Sequence, residues 1–228
     1  MLSTVSSPMQ SDSATPIDAV LFDFSGVLTT SPWPAISASA QGDLELLVGP
    51  YHEDTDHPWH RLERGEITLD EWLTAAAAAG TELDLTPLQS LLSTLAVHDD
   101  VVDHVAALRA DGYRTALVTN NVREGSATWR AMIAVDELFD VVVDSSAVGM
   151  RKPNPAIFTH TLDLLGGIAP QRAVFLDDVE GNLAGARVAG LHTILVDDPP
   201  APALVELDLL LGRAEPAAER VRHLAPVR

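Results

Sequence analysis

Four polar segments near the ends of apolar runs could carry the chemistry of this chain. They are Asp23, Thr119-Asn120-Asn121, Lys152 and Asp177-Asp178. Two adjacent carboxylates repel each other unless a cation compensates, so the doublet favours a divalent metal. Mg²⁺ is typically held by one or two carboxylates together with phosphate and water, and Asp23 and the doublet could supply those carboxylates. The set is therefore typical of phosphoryl transfer, where catalysis consists mainly of positioning and charge neutralisation.

Each segment also has an ordinary structural interpretation. Asp23 lies just before Ser-Gly and could simply begin a turn, and Thr119 and Asn120 could cap a helix. A loop lysine is usually solvated. Lys152, however, is the only lysine of the chain, and its loop also contains a glycine, an arginine and two prolines. It is the ordered combination of the four segments that favours a phosphate-binding site.

The elements that must position these residues alternate between strands and helices. Apolar runs bounded by turn residues predict strands at 20–24, 114–119, 139–143, 173–176 and 192–196. Helices are predicted from a cap at Asp99 or Asp100 to Gly112, and over 126–138, 155–165, 183–189 and 201–211. This alternation predicts an α/β fold with a parallel, doubly wound sheet and right-handed crossovers. Because ligands bind at the carboxyl ends of such strands, the fold would bring the polar segments together.

A helical segment, residues 31–97, interrupts the alternation after the first strand. Thr68 and Glu71 fit a capping box for a helix that would end before Gly80, and a stripe of leucines predicts a second helix over 86–96. The segment leaves the carboxyl end of the first strand, so it is expected to cover the site as a cap. The predicted organisation is a disordered tail over 1–16, a core of 17–30 and 98–212, the cap over 31–97 and a C-terminal tail over 213–228.

Composition excludes several partners. The formal net charge is −19, whereas proteins that bind nucleic acid or anionic membranes need a cationic face. Cysteine is absent, which excludes disulfides and thiolate metal sites. The N-terminus has neither a cationic start nor an apolar core, and no apolar run reaches the roughly 18 residues of a membrane span. We expect a cytoplasmic protein that binds neither nucleic acid nor membrane.

The four segments resemble the ordered motifs of the haloacid dehalogenase (HAD) superfamily. Asp23-Phe24-Ser25-Gly26-Val27-Leu28 is similar to motif I, Thr119-Asn120-Asn121 to motif II, Lys152-Pro153-Asn154-Pro155 to motif III and Asp177-Asp178 to motif IV. The stretches 64–68 and 176–182 further resemble the subgroup that contains the epoxide hydrolase N-terminal phosphatase domain and small sugar-phosphate phosphatases. The resemblance implies a Rossmann-like core with strand order 3-2-1-4-5 and an α-helical cap inserted after motif I.

For the first and last motifs, the resemblance implies a nucleophile and a metal site. Asp23 would attack phosphorus and form an aspartyl-phosphate. Mg²⁺ would be held by Asp23, the backbone carbonyl of Ser25 and Asp178, with Asp177 in support. One position departs from the family pattern, because phosphatases of this kind usually carry a second aspartate, the general acid and base, where this chain has Ser25. A serine hydroxyl does not ionise near neutral pH, and general acid–base catalysis is worth roughly 10²–10⁴-fold in rate.

For the second and third motifs, the resemblance implies phosphate binding. Thr119 and the amide of Asn120 would bind phosphate oxygens, and Lys152 would neutralise charge between Asp23 and the phosphate. With Ser25 in place, three functions remain open. The first is an Mg²⁺-dependent phosphatase of a small phosphorylated metabolite. Such an enzyme would be slow, would be restricted to good leaving groups, or would use a residue of the cap as its general acid. The second is hydrolysis at carbon, which the acidic doublet disfavours, and the third is a catalytically silent protein that binds a phosphorylated ligand or a partner.

Other side chains of the inserted segment could contribute to a site. A second metal site could be formed by His52, Glu53, Asp54, Asp56, His57 and His60. Their spacing fits no ligand pattern, so a solvated polar loop is favoured. Trp33, Trp59 and Arg61 could line the substrate pocket. Trp72 is expected to pack between the helices of the cap, and His192, at the start of a strand, is expected to be structural.

Overall fold

One parallel sheet forms the centre of the protein. The computed structural model describes residues 15–33, 47–50, 52–78 and 95–213. The strands are β1 (Ala19–Phe22), β2 (Arg114–Thr119), β3 (Val141–Asp144), β4 (Ala173–Asp177) and β5 (His192–Leu195). They are parallel and their order is β3-β2-β1-β4-β5. The predicted α/β fold, a Rossmann-like doubly wound sheet with strand order 3-2-1-4-5, is confirmed.

The central strand β1 is buried on both faces of the sheet. Val20 and Phe22 pack into one apolar cluster, whereas Ala19 and Leu21 pack into the other. None of the four is accessible to solvent. Successive side chains of a strand point to opposite faces, so a strand covered by helices on both sides needs a continuous apolar run. For this reason all four residues of β1 are apolar.

Helices flank the sheet and fill the connections. They are α1 (Pro58–Glu63), α2 (Leu69–Ala78), α3 (Asp99–Ala110), α4 (Ser126–Met132), α5 (Val135–Leu138), α6 (Ser145–Val148), α7 (Pro155–Leu164), α8 (Glu180–Ala189) and α9 (Ala201–Leu210). The prediction of one helix over 126–138 was wrong. Ile133 has an extended backbone (φ −137°, ψ 143°) and separates α4 from α5, which allows both Ile133 and Val135 to enter the core. The position before α3 is His98, so Asp99 and Asp100 lie in its first turn and do not cap it.

Within the inserted segment, the structure describes α1 and α2. The predicted capping box is confirmed, because the Thr68 N–H donates to Glu71 Oε2 over 2.7 Å and the Glu71 N–H donates to Thr68 Oγ1 over 3.3 Å. Gly80 and most of the predicted helix over 86–96 lie outside the described residues. Leu95 and Ala96, which are described, are not helical.

The inserted segment leaves and re-enters the core at adjacent points. The Thr30 N–H donates to the Ala96 carbonyl over 2.9 Å, and the His98 N–H donates to the Leu28 carbonyl over 2.9 Å. Both pairs lie beyond the carboxyl end of β1. The two ends of the segment are therefore fixed at the edge of the sheet that carries Asp23.

Most of the predicted tails lies outside the described residues, namely 1–14 and 214–228. Residues 15, 16 and 213 are described and belong to no helix or strand. Among the described residues, no helix has the length and apolar character needed to cross a membrane.

Candidate active site

The carboxyl ends of β1 and β4 place two aspartates and the single lysine in direct contact. Phe22 pairs with Leu176 in the sheet, and the Asp23 N–H donates to the Leu176 carbonyl over 2.9 Å. Asp23 and Asp177 therefore leave neighbouring strands side by side. Lys152 Nζ lies 2.7 Å from Asp23 Oδ1 and 2.7 Å from Asp177 Oδ2.

The loop that carries Lys152 is held in place by Asn120. The Asn120 side chain accepts from the Lys152 N–H over 2.8 Å and donates to the Lys152 carbonyl over 2.9 Å. On the other side of the loop, Gly185 of α8 approaches the Pro153 carbonyl so closely that a Cβ would lie 2.0 Å from that oxygen. The side chain of Asn120 thus orients the lysine loop, a contact that the sequence did not reveal. Lys152 is almost fully buried as a result, with 1% of its surface exposed.

Asp177 is saturated with hydrogen bonds. Its Oδ1 accepts from the Val179 N–H over 2.8 Å, and the Asn182 side-chain amide reaches both carboxylate oxygens over 3.0 and 3.1 Å. Together with Lys152 these donors fix the orientation of the carboxylate. Asn182 was not singled out from the sequence, although its position in the first turn of α8, five residues after Asp177, could have suggested the contact.

Asp178 packs directly against the turn that follows Asp23. Gly26 has φ of +83°, and a Cβ at this position would lie 2.1 Å from Asp178 Oδ2. Glycine is therefore required at this position for two reasons, namely the left-handed backbone and the close approach of the Asp178 carboxylate. The same turn is closed by the Gly26 N–H, which donates to the Thr29 carbonyl over 2.8 Å.

The three carboxylates carry more negative charge than the lysine can balance. One oxygen of each of Asp23, Asp177 and Asp178 can be chosen so that all three lie within 4.8 Å of one another. Burial raises the pKa of Asp23 to about 8, against the opposing effect of Lys152. Burial and Asp177 likewise raise the pKa of Asp178 to about 6. Burial would lower the pKa of Lys152, but the two aspartates in contact with it raise the pKa overall, so the ammonium stays charged.

This arrangement fits a divalent cation. When all three carboxylates are ionised, one ammonium leaves two negative charges for a cation to balance, and oxygen ligands of this kind suit Mg²⁺. Among the described residues, this is the one group of at least three acidic or histidine side chains close enough to share a metal ion. The histidines and acids near α1 form no such group within the described part of the chain.

Thr119, Asn120 and Ser25 face the same chamber as Asp23 and Lys152. Thr119 is the last residue of β2 and is 1% exposed. Ser25 lies in the turn after Asp23 and is partly buried. The structure therefore brings all the predicted site residues together at one edge of the sheet, either in the wall of the chamber or, for Asp177, beneath it.

Residues of the inserted segment line the chamber above Asp23. The volume of this chamber is about 160 Å³. Trp33 and Trp59 line it, as the sequence suggested. Arg61 does not line it among the described residues and pairs with Glu66 at the surface. Trp72 packs edge-on against Trp59 with ring centroids 5.1 Å apart, as expected.

A buried ion pair joins the inserted segment to the loop of Lys152. Arg151 Nε lies 2.7 Å from Glu63 Oε2, and Arg151 also donates to the Glu53 carbonyl over 2.8 Å. Both side chains are 5% exposed and line the chamber. Burial raises the pKa of Glu63, while Arg151 and a hydrogen bond from Trp59 oppose that effect. Sequence reasoning missed this pair, because its members are 88 residues apart.

Residues 17–190 match the family of haloacid dehalogenase-like hydrolases. The chain belongs to this family. It is 35% identical over 207 residues to mouse acyl-CoA dehydrogenase family member 10, and 31% identical over 219 residues to rat bifunctional epoxide hydrolase 2. These matches include 85% and 86% of this chain but only 19% and 39% of the relatives, so the chain spans well under half of either protein. Phosphatase MT3486 of Mycobacterium tuberculosis is 28% identical over 207 residues, which are 79% of this chain and 88% of that protein.

Solved structures of the same fold are similar over most of the chain. A HAD-like family hydrolase from Porphyromonas gingivalis superposes with a TM-score of 0.63 and 25% identity, over 85% of this chain and 98% of its own. A HAD family enzyme from Bacteroides thetaiotaomicron, solved in complex with magnesium and inorganic phosphate, has a TM-score of 0.59 and 22% identity, over 79% and 94% of the two chains. The second likeness shows the shared fold.

Proposed function

We propose that this HAD-like hydrolase is an Mg²⁺-dependent phosphatase of small phosphomonoesters. The observation that carries the proposal is the contact of Lys152 with Asp23 and Asp177, next to Asp178, at the carboxyl ends of adjacent strands. Two comparisons support it. The Mycobacterium tuberculosis relative is named a phosphatase, and the Bacteroides thetaiotaomicron enzyme binds magnesium and phosphate.

In the proposed mechanism, Asp23 is the nucleophile. A carboxylate oxygen of Asp23 forms a bond to phosphorus while the bond from phosphorus to the leaving-group oxygen breaks, and the leaving group takes its proton from solvent. Water then attacks phosphorus of the aspartyl-phosphate and gives up a proton to solvent, while the bond from phosphorus to the Asp23 oxygen breaks. This step releases inorganic phosphate and restores the carboxylate. Ser25 takes part in neither proton transfer, because its hydroxyl does not ionise near neutral pH.

The remaining site residues stabilise charge. The Thr119 hydroxyl and the Asn120 N–H donate to phosphate oxygens, and the buried Lys152 ammonium neutralises charge between Asp23 and the phosphate. Asp23, Asp178 and the Ser25 carbonyl would hold Mg²⁺, with Asp177 in support through its contact with Lys152. When bound, Mg²⁺ neutralises the negative charge of the transferred phosphoryl group.

The inserted segment would serve as the cap of this site. In this proposal, residues 17–30 and 98–212 form the core, and residues 31–97 form the cap that excludes water and contacts the leaving group. The support is local: α1 contributes both Trp59 and Glu63 to the chamber, and the ion pair of Glu63 with Arg151 joins α1 to the lysine loop.

The proposal is tested with 4-nitrophenyl phosphate, a generic ester with a good leaving group. We expect turnover with Mg²⁺, its loss when the metal is chelated, and a fall of roughly 10³-fold or more in kcat for Asp23→Asn. Asp163→Asn, the same change at an exposed position of α7, is the matched control and should retain full activity. Turnover that survives chelation, or that persists in Asp23→Asn, would contradict the mechanism.

Ser25 favours one alternative, a protein that binds a phosphorylated ligand without turning it over. Its distinguishing result is inorganic phosphate bound in the presence of Mg²⁺, measured by calorimetry, in a folded protein that hydrolyses no aryl phosphate. Binding that is lost in Asp178→Asn would assign it to the same site.

A further inference from the structure

The cations of the chamber above Asp23 are already engaged. Among the described residues, the chamber is lined by two cationic side chains, Arg151 and Lys152. Lys152 contacts Asp23 and Asp177. Arg151 contacts Glu63 and a backbone carbonyl, and its guanidinium also lies 3.8 Å from Asp54 Oδ1. The phosphoryl group would use Lys152, so neither cation is left for a second anionic group of the substrate.

The inserted segment supplies no further positive charge. Its 67 residues, 31–97, contain eleven aspartates and glutamates, two arginines, three histidines and no lysine. Among the described residues, none of the three histidines lines the chamber. Arg61 pairs with Glu66, and Arg64 pairs with both Glu66 and Asp54. The undescribed stretches 34–46, 51 and 79–94 contain no lysine, arginine or histidine. The net charge of this segment is therefore negative.

The walls of the chamber are rich in aromatic and apolar side chains. Trp33, Trp59 and Trp129 line it, together with Phe24 and Met132. Such walls favour apolar surface, and the faces of tryptophan rings also stabilise cations. A carboxylate or a second phosphate placed here would lose its hydration without gaining a partner.

We propose, on the basis of the phosphatase function above, that the enzyme selects phosphomonoesters by the charge of the leaving group. The preferred leaving group has apolar surface and carries no negative charge. Esters whose alcohol bears a carboxylate or a second phosphate are rejected, because Glu63, with Asp54 at a longer distance, neutralises Arg151, the one chamber cation among the described residues that could bind the additional anion.

The test uses three aryl phosphates of similar size and leaving-group acidity. They are 4-ethylphenyl, 4-(2-aminoethyl)phenyl and 4-(carboxymethyl)phenyl phosphate, which are neutral, cationic and anionic at the remote end. At low ionic strength we expect kcat/KM for the anionic ester to be at least about tenfold below that of the neutral ester, with the cationic ester at or above the neutral one. Added salt should narrow the difference between the two charged esters.

The Glu63→Gln variant tests whether the Arg151–Glu63 ion pair causes the rejection of anionic esters. Without the Glu63 carboxylate, Arg151 keeps only the longer contact with Asp54, at 3.8 Å. Its guanidinium can then bind the remote carboxylate, so kcat/KM for the anionic ester should rise by about tenfold relative to the neutral ester. Asp70→Asn removes one negative charge from an exposed position of α2 and should leave that ratio unchanged. If Glu63→Gln does not fold, the comparison of the three esters on the wild-type protein still decides the proposal.

The outcomes separate this inference from the function on which it rests. Equal kcat/KM for all three esters, or equally low values for the cationic and anionic esters, would overturn charge selection and leave the phosphatase intact. If the folded Glu63→Gln protein shows the same ratio of kcat/KM for the anionic ester to kcat/KM for the neutral ester as wild type, the role of the ion pair is overturned. Absence of turnover for all three esters with Mg²⁺ present would overturn both proposals.

Discussion

Ser25 lies where phosphatases of this family usually have an aspartate, in the turn that also brings Gly26 against Asp178. Every other predicted site residue is either in contact with the Lys152 cluster or in the wall of the same chamber. The site thus has the groups that bind and neutralise a phosphate but lacks, at this position, the group that would protonate a poor leaving group. The loss should matter most for alkyl esters, whose leaving oxygen is strongly basic.

Ser25→Asp should restore that proton transfer. We expect hydrolysis of an alkyl phosphate to accelerate by about 10²-fold or more, with little change for 4-nitrophenyl phosphate, whose leaving group needs no proton. The measurement is kcat on both esters. Ser25→Asn, which has nearly the same shape but no acid, is the control. A folded Ser25→Asp protein that shows no gain on the alkyl ester would contradict this account of the serine.

At the level of the elements, α8 supports the site from below. Its first turn supplies Asn182 to Asp177, and Gly185, one turn later, lies against the Pro153 carbonyl of the lysine loop. Gly185 has no left-handed backbone to explain it, since it lies within a regular helix. It is therefore glycine because the loop packs where a side chain would be, and the helix and the loop set each other's position.

Gly185→Ala should displace the lysine loop. Alanine favours a helix by up to about 1 kcal/mol, but a Cβ 2.0 Å from a backbone oxygen cannot be accommodated without movement. We expect the free energy of unfolding to fall by about 1–3 kcal/mol, together with a lower kcat, measured by urea denaturation and by aryl phosphate turnover. Val188→Ala, at a residue of the same helix that is 76% exposed, should change neither. A Gly185→Ala protein as stable and active as wild type would exclude this tight packing.

The sequence allowed the strands and the edge they share to be predicted, because alternation and burial on both faces of a parallel sheet leave a strong pattern. It did not allow the break in the helix at Ile133 to be predicted, since the apolar periodicity of 126–138 continues through this residue. The extended backbone of Ile133 is selected by the packing of the core. The Arg151–Glu63 pair depends on where α1 lies relative to the lysine loop. That arrangement is set by tertiary contacts between distant parts of the chain and has no local signal.

For the molecule as a whole, the buried carboxylates of the site destabilise the folded protein when no metal ion is bound. The pKa values of Asp23 and Asp178 are raised to about 8 and about 6, from an ordinary value of 3.8. Between the ordinary and the raised values, the folded protein retains protons that the unfolded chain has lost. Its free energy of unfolding must therefore fall as the pH rises through this range.

This pH dependence can be measured in the presence of a chelator. Urea unfolding of the metal-free protein from pH 5 to pH 8 should show wild type losing stability relative to Asp23→Asn, which lacks the titrating carboxyl group. Added Mg²⁺ should stabilise the wild type most at the upper end of the range, where the carboxylates are ionised, and by about 2.7 kcal/mol when its concentration is 100 times its Kd. A constant difference between the two proteins across this range would contradict the raised pKa of Asp23.

The pairing of β1 with β4 also bears on how the protein comes into being. Asp23 is synthesised 154 residues before Asp177, the last residue of the strand beside it. On the ribosome, the nascent chain must carry the complete inserted segment and three strands before the second half of the site emerges. A truncated product that ends before β4 would thus lack both the acidic doublet and one neighbour of its central strand. Incomplete chains are unfit for catalysis and expose a bare strand edge to one another, a hazard that quality control in the cell would have to meet.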